Sequence, residues 1–122
     1  MPQVAISAII NSTEDEDRVK LAVLNLFPDA IVQVNEGALA ATSSSLDYFA
    51  QRLMEQKIRD SSRAILRHAI IPGGIEFHLN KQAAFVGKIN FTEGDSILGD
   101  LKVIIRVEDS EALVELITEV GQ

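Results

Sequence analysis

Cysteine and tryptophan are absent from this chain, tyrosine occurs once and proline three times. Without cysteine there is no disulfide scaffold, thiolate metal site or thiol nucleophile, as suits a reducing compartment. Long apolar runs are missing too. The apolar stretch from Val4 to Ile10 is too short for the ~20 residues of a membrane span and lacks the basic start of a signal peptide. The expectation is a soluble, cytoplasmic protein with no membrane partner, in which the N-x-[ST] matches at Asn11 and Asn90 carry no meaning.

Chemistry-bearing motifs are equally scarce. The two histidines, His68 and His78, have nothing ligand-like at helical spacing, so no metal site is expected. Neither G-x-x-x-x-G-K-[ST] nor G-x-G-x-x-G occurs, and Gly73 and Gly74 stand at a helix-to-strand junction, where they read as turn residues. Ser43 to Ser45 have the look of capping residues rather than of a nucleophile elbow. The carboxylates from Glu14 to Asp17 suit the first turn of a helix, where its dipole accounts for them. No cofactor and no catalytic residue is therefore expected, and the chain reads as a non-enzyme.

What is present is a core. The 122 residues are 47% hydrophobic, enough for one domain over residues 1–122 to bury around 65% of its unfolded surface. Gln3 to Ile10 alternates as a strand. Thr13 and Glu16 form a capping box before a helical stripe of Val19, Ala22, Val23 and Leu26, and Ala30 to Asn35 is a short strand. Gly37 to Ser45 reads as a small-residue connector. From Leu46 to Ala69 two helical stripes run out of phase, which predicts a break at Gln56 to Asp60 with Asp60 as a new cap. Ile75 to Leu79 and Phe85 to Phe91 alternate as two strands joined by a turn at Asn80 to Gln82. After a loop, Leu101 to Val107 is the last strand, and Asp109 or Ser110 caps a final helix.

One apolar and one polar face per strand predicts an α+β two-layer sandwich. Its sheet would be mostly antiparallel, of about five strands, with helices on one face. The open face would show Gln3, Ser7, Glu76, His78, Lys88, Asn90, Lys102 and Arg106.

Charge is distributed unevenly. The net charge is −7, yet Gln51 to Phe91 holds seven basic residues against three acidic ones, a local balance of +4. Such asymmetry points to a basic contact surface. Two stretches supply it. Gln56 to Arg63 (QKIRDSSR) crowds polar residues at the helix break, and Leu79 to Phe91 (LNKQAAFVGKINF) places amide and ammonium groups on the expected hairpin tip. A surface ion-pair ladder and a left-handed turn at Asn80 account for the same residues structurally.

These two stretches, followed by Leu98-Gly99, resemble uncharacterised protein family 0201, a group of small, mainly archaeal proteins. The resemblance implies a fold similar to the ribosomal protein L-five class and an RNA-binding role assigned by analogy. Relatives carry Thr where this chain has Ser61, and they tend to continue past Gln122.

The leading expectation is thus a non-catalytic RNA-binding module using Arg59, Arg63, Asn80, Lys81, Gln82 and Lys88. Phe77, Phe85 and Phe91 share parity with core aliphatics, so contact would be of backbone or shape type with weak sequence preference. The alternative is a structural or protein-interaction module acting as a homodimer or other homo-oligomer.

Overall fold

The computed structural model describes residues 2–96 and 98–119. Strand β1 (Gln3–Ile9) follows the alternation, burying Val4, Ile6 and Ala8 on one face. Helix α1 (Glu16–Leu26) starts two residues later than the capping box predicts. Asp15 is the cap and accepts from the Asp17 amide at 2.9 Å, while Glu14 turns back to accept from the Asn11 amide. The stripe of Val19, Ala22, Val23 and Leu26 is buried, as the spacing requires.

The expected connector is a strand. β2 (Ile31–Asn35) turns through Glu36 and Gly37, with φ of 41° and 82°, into β3 (Ala38–Ser43). Two successive positive φ values form the two-residue hairpin turn whose twist suits antiparallel strands. Leu39, Ala41 and Ser43 then face inward.

Helices α2 (Asp47–Glu55) and α3 (Arg59–His68) flank the anticipated break. Asp60 lies inside the first turn of α3. The cap position is Ile58, which offers no side-chain hydrogen bond.

After β4 (Ile70–Ile71), β5 (Gly74–Asn80) enters the sheet as expected, but of the predicted second arm, Phe85 to Phe91, only the end at Phe91 is a strand. Asn80 Oδ1 accepts from the Ala83 amide at 2.8 Å and starts a short helix, α4 (Lys81–Phe85), whose inner face is Lys81 and Ala84. Only Phe91 and Thr92 then pair with β5, as β6 (Phe91–Thr92). β7 (Asp100–Arg106) and α5 (Ser110–Thr118) complete the described chain, with Asp109 capping α5 through the Ala112 amide.

The seven strands form one antiparallel sheet in the order β2-β3-β1-β7-β5-β4, with β6 also on β5. That exceeds the expected five by two, because β3 replaces a loop and β4 is an added two-residue pairing, while β6 is what remains of the expected Phe85 to Phe91 strand. The inward faces of β1, β3, β5 and β7 meet the helices in a core threaded by four phenylalanines. Phe27 stacks on Phe49 at 5.5 Å, Phe49 meets Phe77 at 5.8 Å, and Phe77 meets Phe91 at 5.6 Å.

The opposite face is open. Ladder register aligns Gln33, Ala40, Ser7, Lys102, His78 and Thr92 in one row across it. Gln3, Glu76 and Arg106 also lie there, whereas Lys88 and Asn90 belong to the exposed loop between α4 and β6 and not to a strand of the sheet.

Candidate nucleic-acid interface

The break between α2 and α3 is a built turn. The Lys57 amide donates to the Met54 carbonyl at 3.0 Å, and the Ile58 amide reaches back to Leu53 at 3.1 Å. This pair of bonds is the Schellman closure of a helix, and it needs a left-handed residue at the position Lys57 occupies, with φ of 60°. Glycine normally fills that place. A lysine there costs about 1 kcal/mol of backbone strain and projects an exposed ammonium from the turn.

The second basic stretch is fastened to this turn. Gln56 donates to the Ile89 carbonyl at 3.0 Å and accepts from the Ile89 amide at 2.7 Å, pairing as a strand would. Arg52 Nε donates to the Gly87 carbonyl at 3.0 Å while Nη1 holds Glu55 at 2.8 Å. Lys57 and Lys88 each stand one residue from the Gln56–Ile89 clamp. Both side chains are exposed, and neither ammonium has a hydrogen bond or ion pair among the described residues. Two free ammonium groups on a fixed frame suit phosphate contact.

A cleft of about 440 Å³ opens beside the turn, lined by Lys57, Arg59, Asp60, Ser61, Arg63 and Thr118. Arg63 braces it, donating from Nε to Thr118 Oγ1 at 3.0 Å, from Nη2 to the Thr118 carbonyl at 3.3 Å, and from Nη1 to Asp60 at 3.3 Å. Because no side chain caps α3, its first-turn amides add the positive end of the helix dipole. Farther along α3 the charge is cancelled, since Arg67 pairs with Glu111 and Glu115.

Of the residues singled out from the sequence, Arg59 and Arg63 share this cleft, whereas Lys88 is outside its lining and stands next in sequence to Ile89 of the clamp. Asn80, Lys81 and Gln82 sit elsewhere, because the hairpin tip expected to display them is a helix start. Asn80 is its cap, and Gln82 is exposed beside a second cleft near α1. Lys81 is 4% exposed, with Nζ donating to the Ile9 carbonyl at 2.8 Å, the Leu98 carbonyl at 2.7 Å and Glu14 at 3.0 Å. Burial raises the Glu14 carboxyl pKa, but the Asn11 amide and Lys81 outweigh it and leave the net value below the ordinary one. Sequence reasoning passed over Lys57 and the Gln56 clamp, whose only trace was the phase break between the two helical stripes.

Among the described residues no three His, Asp or Glu side chains converge as metal ligands, and no helix is long and apolar enough to cross a membrane. A family model described as RNA binding matches residues 3–108. A UPF0201 protein of Metallosphaera sedula is 39% identical, over 94% of this chain and 86% of its own length. The chain spans only 33% of a longer UPF0200/UPF0201 protein of Archaeoglobus fulgidus, at 34% identity over 88% of this chain. The crystal structure of a UPF0201 protein from Methanococcus jannaschii superposes with a TM-score of 0.88 at 30% identity, covering 98% of this chain and 95% of that one.

Proposed function

Because the chain belongs to the UPF0201 family, whose matching model is described as RNA binding, we propose that it is a non-catalytic RNA-binding module gripping the phosphate backbone at the α2–α3 turn. The observation that carries this is Lys57, a lysine held in a left-handed position where glycine is cheaper, beside a second free lysine clamped by Gln56. Backbone strain kept at an exposed cation is of the kind that persists where the residue works. Arg59 and Arg63 line the adjoining cleft, and the grip is blind to base sequence.

Fluorescence anisotropy of a labelled structured RNA against salt concentration tests the reading. Each phosphate contact contributes a slope of about −0.7 to −0.9 in log K against log salt. The Lys57→Glu/Lys88→Glu double variant should flatten the slope by about 1.5 and weaken binding more than tenfold at about 100 mM salt. An unchanged slope rejects the interface.

A second reading, a protein-interaction module, draws on β2. It is an outer strand whose far edge has no pairing among the described residues, and Ile31 on it is 71% exposed. Multi-angle light scattering of Ile31→Lys against wild type tests it. A wild-type dimer that the variant abolishes supports it, and a wild-type monomer at all concentrations refutes it.

A further inference from the structure

A third cleft, of about 370 Å³, lies on the open face of the sheet, away from the helices, and is mostly apolar. Ile9, Ala38 and Ser7 form one side, and His78, Gly94 and Lys102 the other. The loop after β6 presses on it so closely that a Cβ on Gly94 would fall 2.8 Å from the His78 ring. Asp100 also lines the cleft and is only 6% exposed. Among the described residues its Oδ2 is buried without a hydrogen-bond partner, and Thr92 Oγ1, in register with His78, is another such atom.

A buried carboxylate oxygen without a donor is costly, so its persistence at the wall of a cleft points to a donor that arrives from outside. Two residues along β7, on the same face, Lys102 holds an exposed ammonium only 4.0 Å from Glu76, a loose pairing that leaves donors free. Asp100 and Lys102, two residues apart on one face of β7 above an apolar floor, match a flat ring whose edge offers N–H groups next to a carbonyl once the Lys102 ammonium swings back from Glu76. Among the bases only guanine presents two adjacent N–H donors beside an acceptor on one edge. Uracil flanks its single N–H with two carbonyls, which a carboxylate repels, and adenine and cytosine set their amino group beside a bare ring nitrogen.

We infer that this cleft takes a guanine base splayed out of a single-stranded RNA, with Asp100 accepting from the N1 and N2 donors and Lys102 donating to O6. The inference rests on the RNA reading above and adds base identity to it, by hydrogen bonding instead of aromatic stacking. Chain continuity joins the two sites. Residues 88–94 run from the clamped lysine through β6 to Gly94, a path of at most about 20 Å. A strand whose phosphates lie on Lys57 and Lys88 thus rounds the β6 edge and delivers a base to the open face. To reach Oδ2 the base parts the wall at Gly94.

Titration of the 15N-labelled full chain with GMP, AMP, CMP and UMP, followed by amide NMR, tests the inference. GMP should give saturable shifts at His78, Gly94 and Lys102 and bind at least fivefold tighter than the other three. Asp100→Asn should weaken GMP at least tenfold. Ala38→Trp, at an exposed floor position, should block GMP by filling the cleft with Asp100 intact, which keeps the test decisive if the first variant folds poorly. Equal affinity for all four nucleotides, GMP binding undiminished in either folded variant, or shifts confined to the α2–α3 cleft overturns it. Lys57→Glu/Lys88→Glu separates the two ideas: it should lose RNA while keeping GMP. A wild type that binds GMP selectively yet no RNA would refute the RNA reading and the RNA source of the base, and leave a cleft for a free guanine nucleotide.

Discussion

Replacing Lys81 by methionine should damage the fold and spare RNA binding. Methionine keeps most of the apolar stem but removes an ammonium that is 4% exposed and that ties the Ile9 carbonyl of β1, the Leu98 carbonyl and the Glu14 carboxylate to α4. Removing one partner of a buried ion pair costs roughly 3–5 kcal/mol, because the other charge is left without compensation. Glu14 is 23% exposed and regains some water, which brings the expectation down to about 2–4 kcal/mol. That is a large part of the roughly 5–15 kcal/mol that stabilises a domain, and it corresponds to a fall in Tm of about 10 °C.

With no tryptophan and one tyrosine in the chain, urea unfolding is best followed by circular dichroism at 222 nm. The midpoint should fall with the slope unchanged. The deficit should also depend on pH. Glu14 in the folded wild type has its pKa held below the ordinary value of 4.5, so its contribution is present above that value and is lost as pH falls through the lower folded one. The gap between wild type and Lys81→Met is therefore widest near neutrality and narrows in acid. A loss below about 1 kcal/mol at pH 7, or a gap that does not narrow in acid, refutes the argument. RNA affinity of the folded variant at 25 °C should stay within twofold of wild type.

Lys57→Gly should raise stability by about 0.5–1 kcal/mol, by relieving the left-handed strain, while weakening RNA binding severalfold; urea midpoints and anisotropy should move in opposite directions. Gln56→Ala removes both bonds to Ile89, should cost about 1–3 kcal/mol, and should speed hydrogen exchange at the Ile89 amide. It should also weaken RNA binding with no change of charge. Asp109→Ala removes the α5 cap and should cost about 1 kcal/mol in chemical denaturation, with RNA affinity unaffected.

Where an element's pattern and its environment agree, local sequence was enough. The alternation of β1, the buried stripe of α1, the break near Gln56 and the Asp109 cap all stand where periodicity and capping chemistry put them. Each is decided by side chains within one turn or one strand. The segment from Asn80 to Phe91 shows the limit. Phe85, Gly87, Ile89 and Phe91 happen to alternate, but one hydrogen bond from the Ala83 amide to Asn80 makes the start of the segment helical and turns Lys81 inward. β3 was hidden for the opposite reason, since its small residues carry little propensity and gain strand structure by pairing on both sides with β1 and β2.

The alternation of apolar and polar residues determined the fold class, and composition and charge asymmetry the absence of thiol chemistry and the general location of a basic segment. Which of its cations are available was settled only by tertiary structure, because availability depends on partners distant in sequence. Glu14 and the Ile9 and Leu98 carbonyls engage Lys81, and Thr118 braces Arg63. Ile89 and Gln56, 33 residues apart, hold Lys57 and Lys88 beside one clamp.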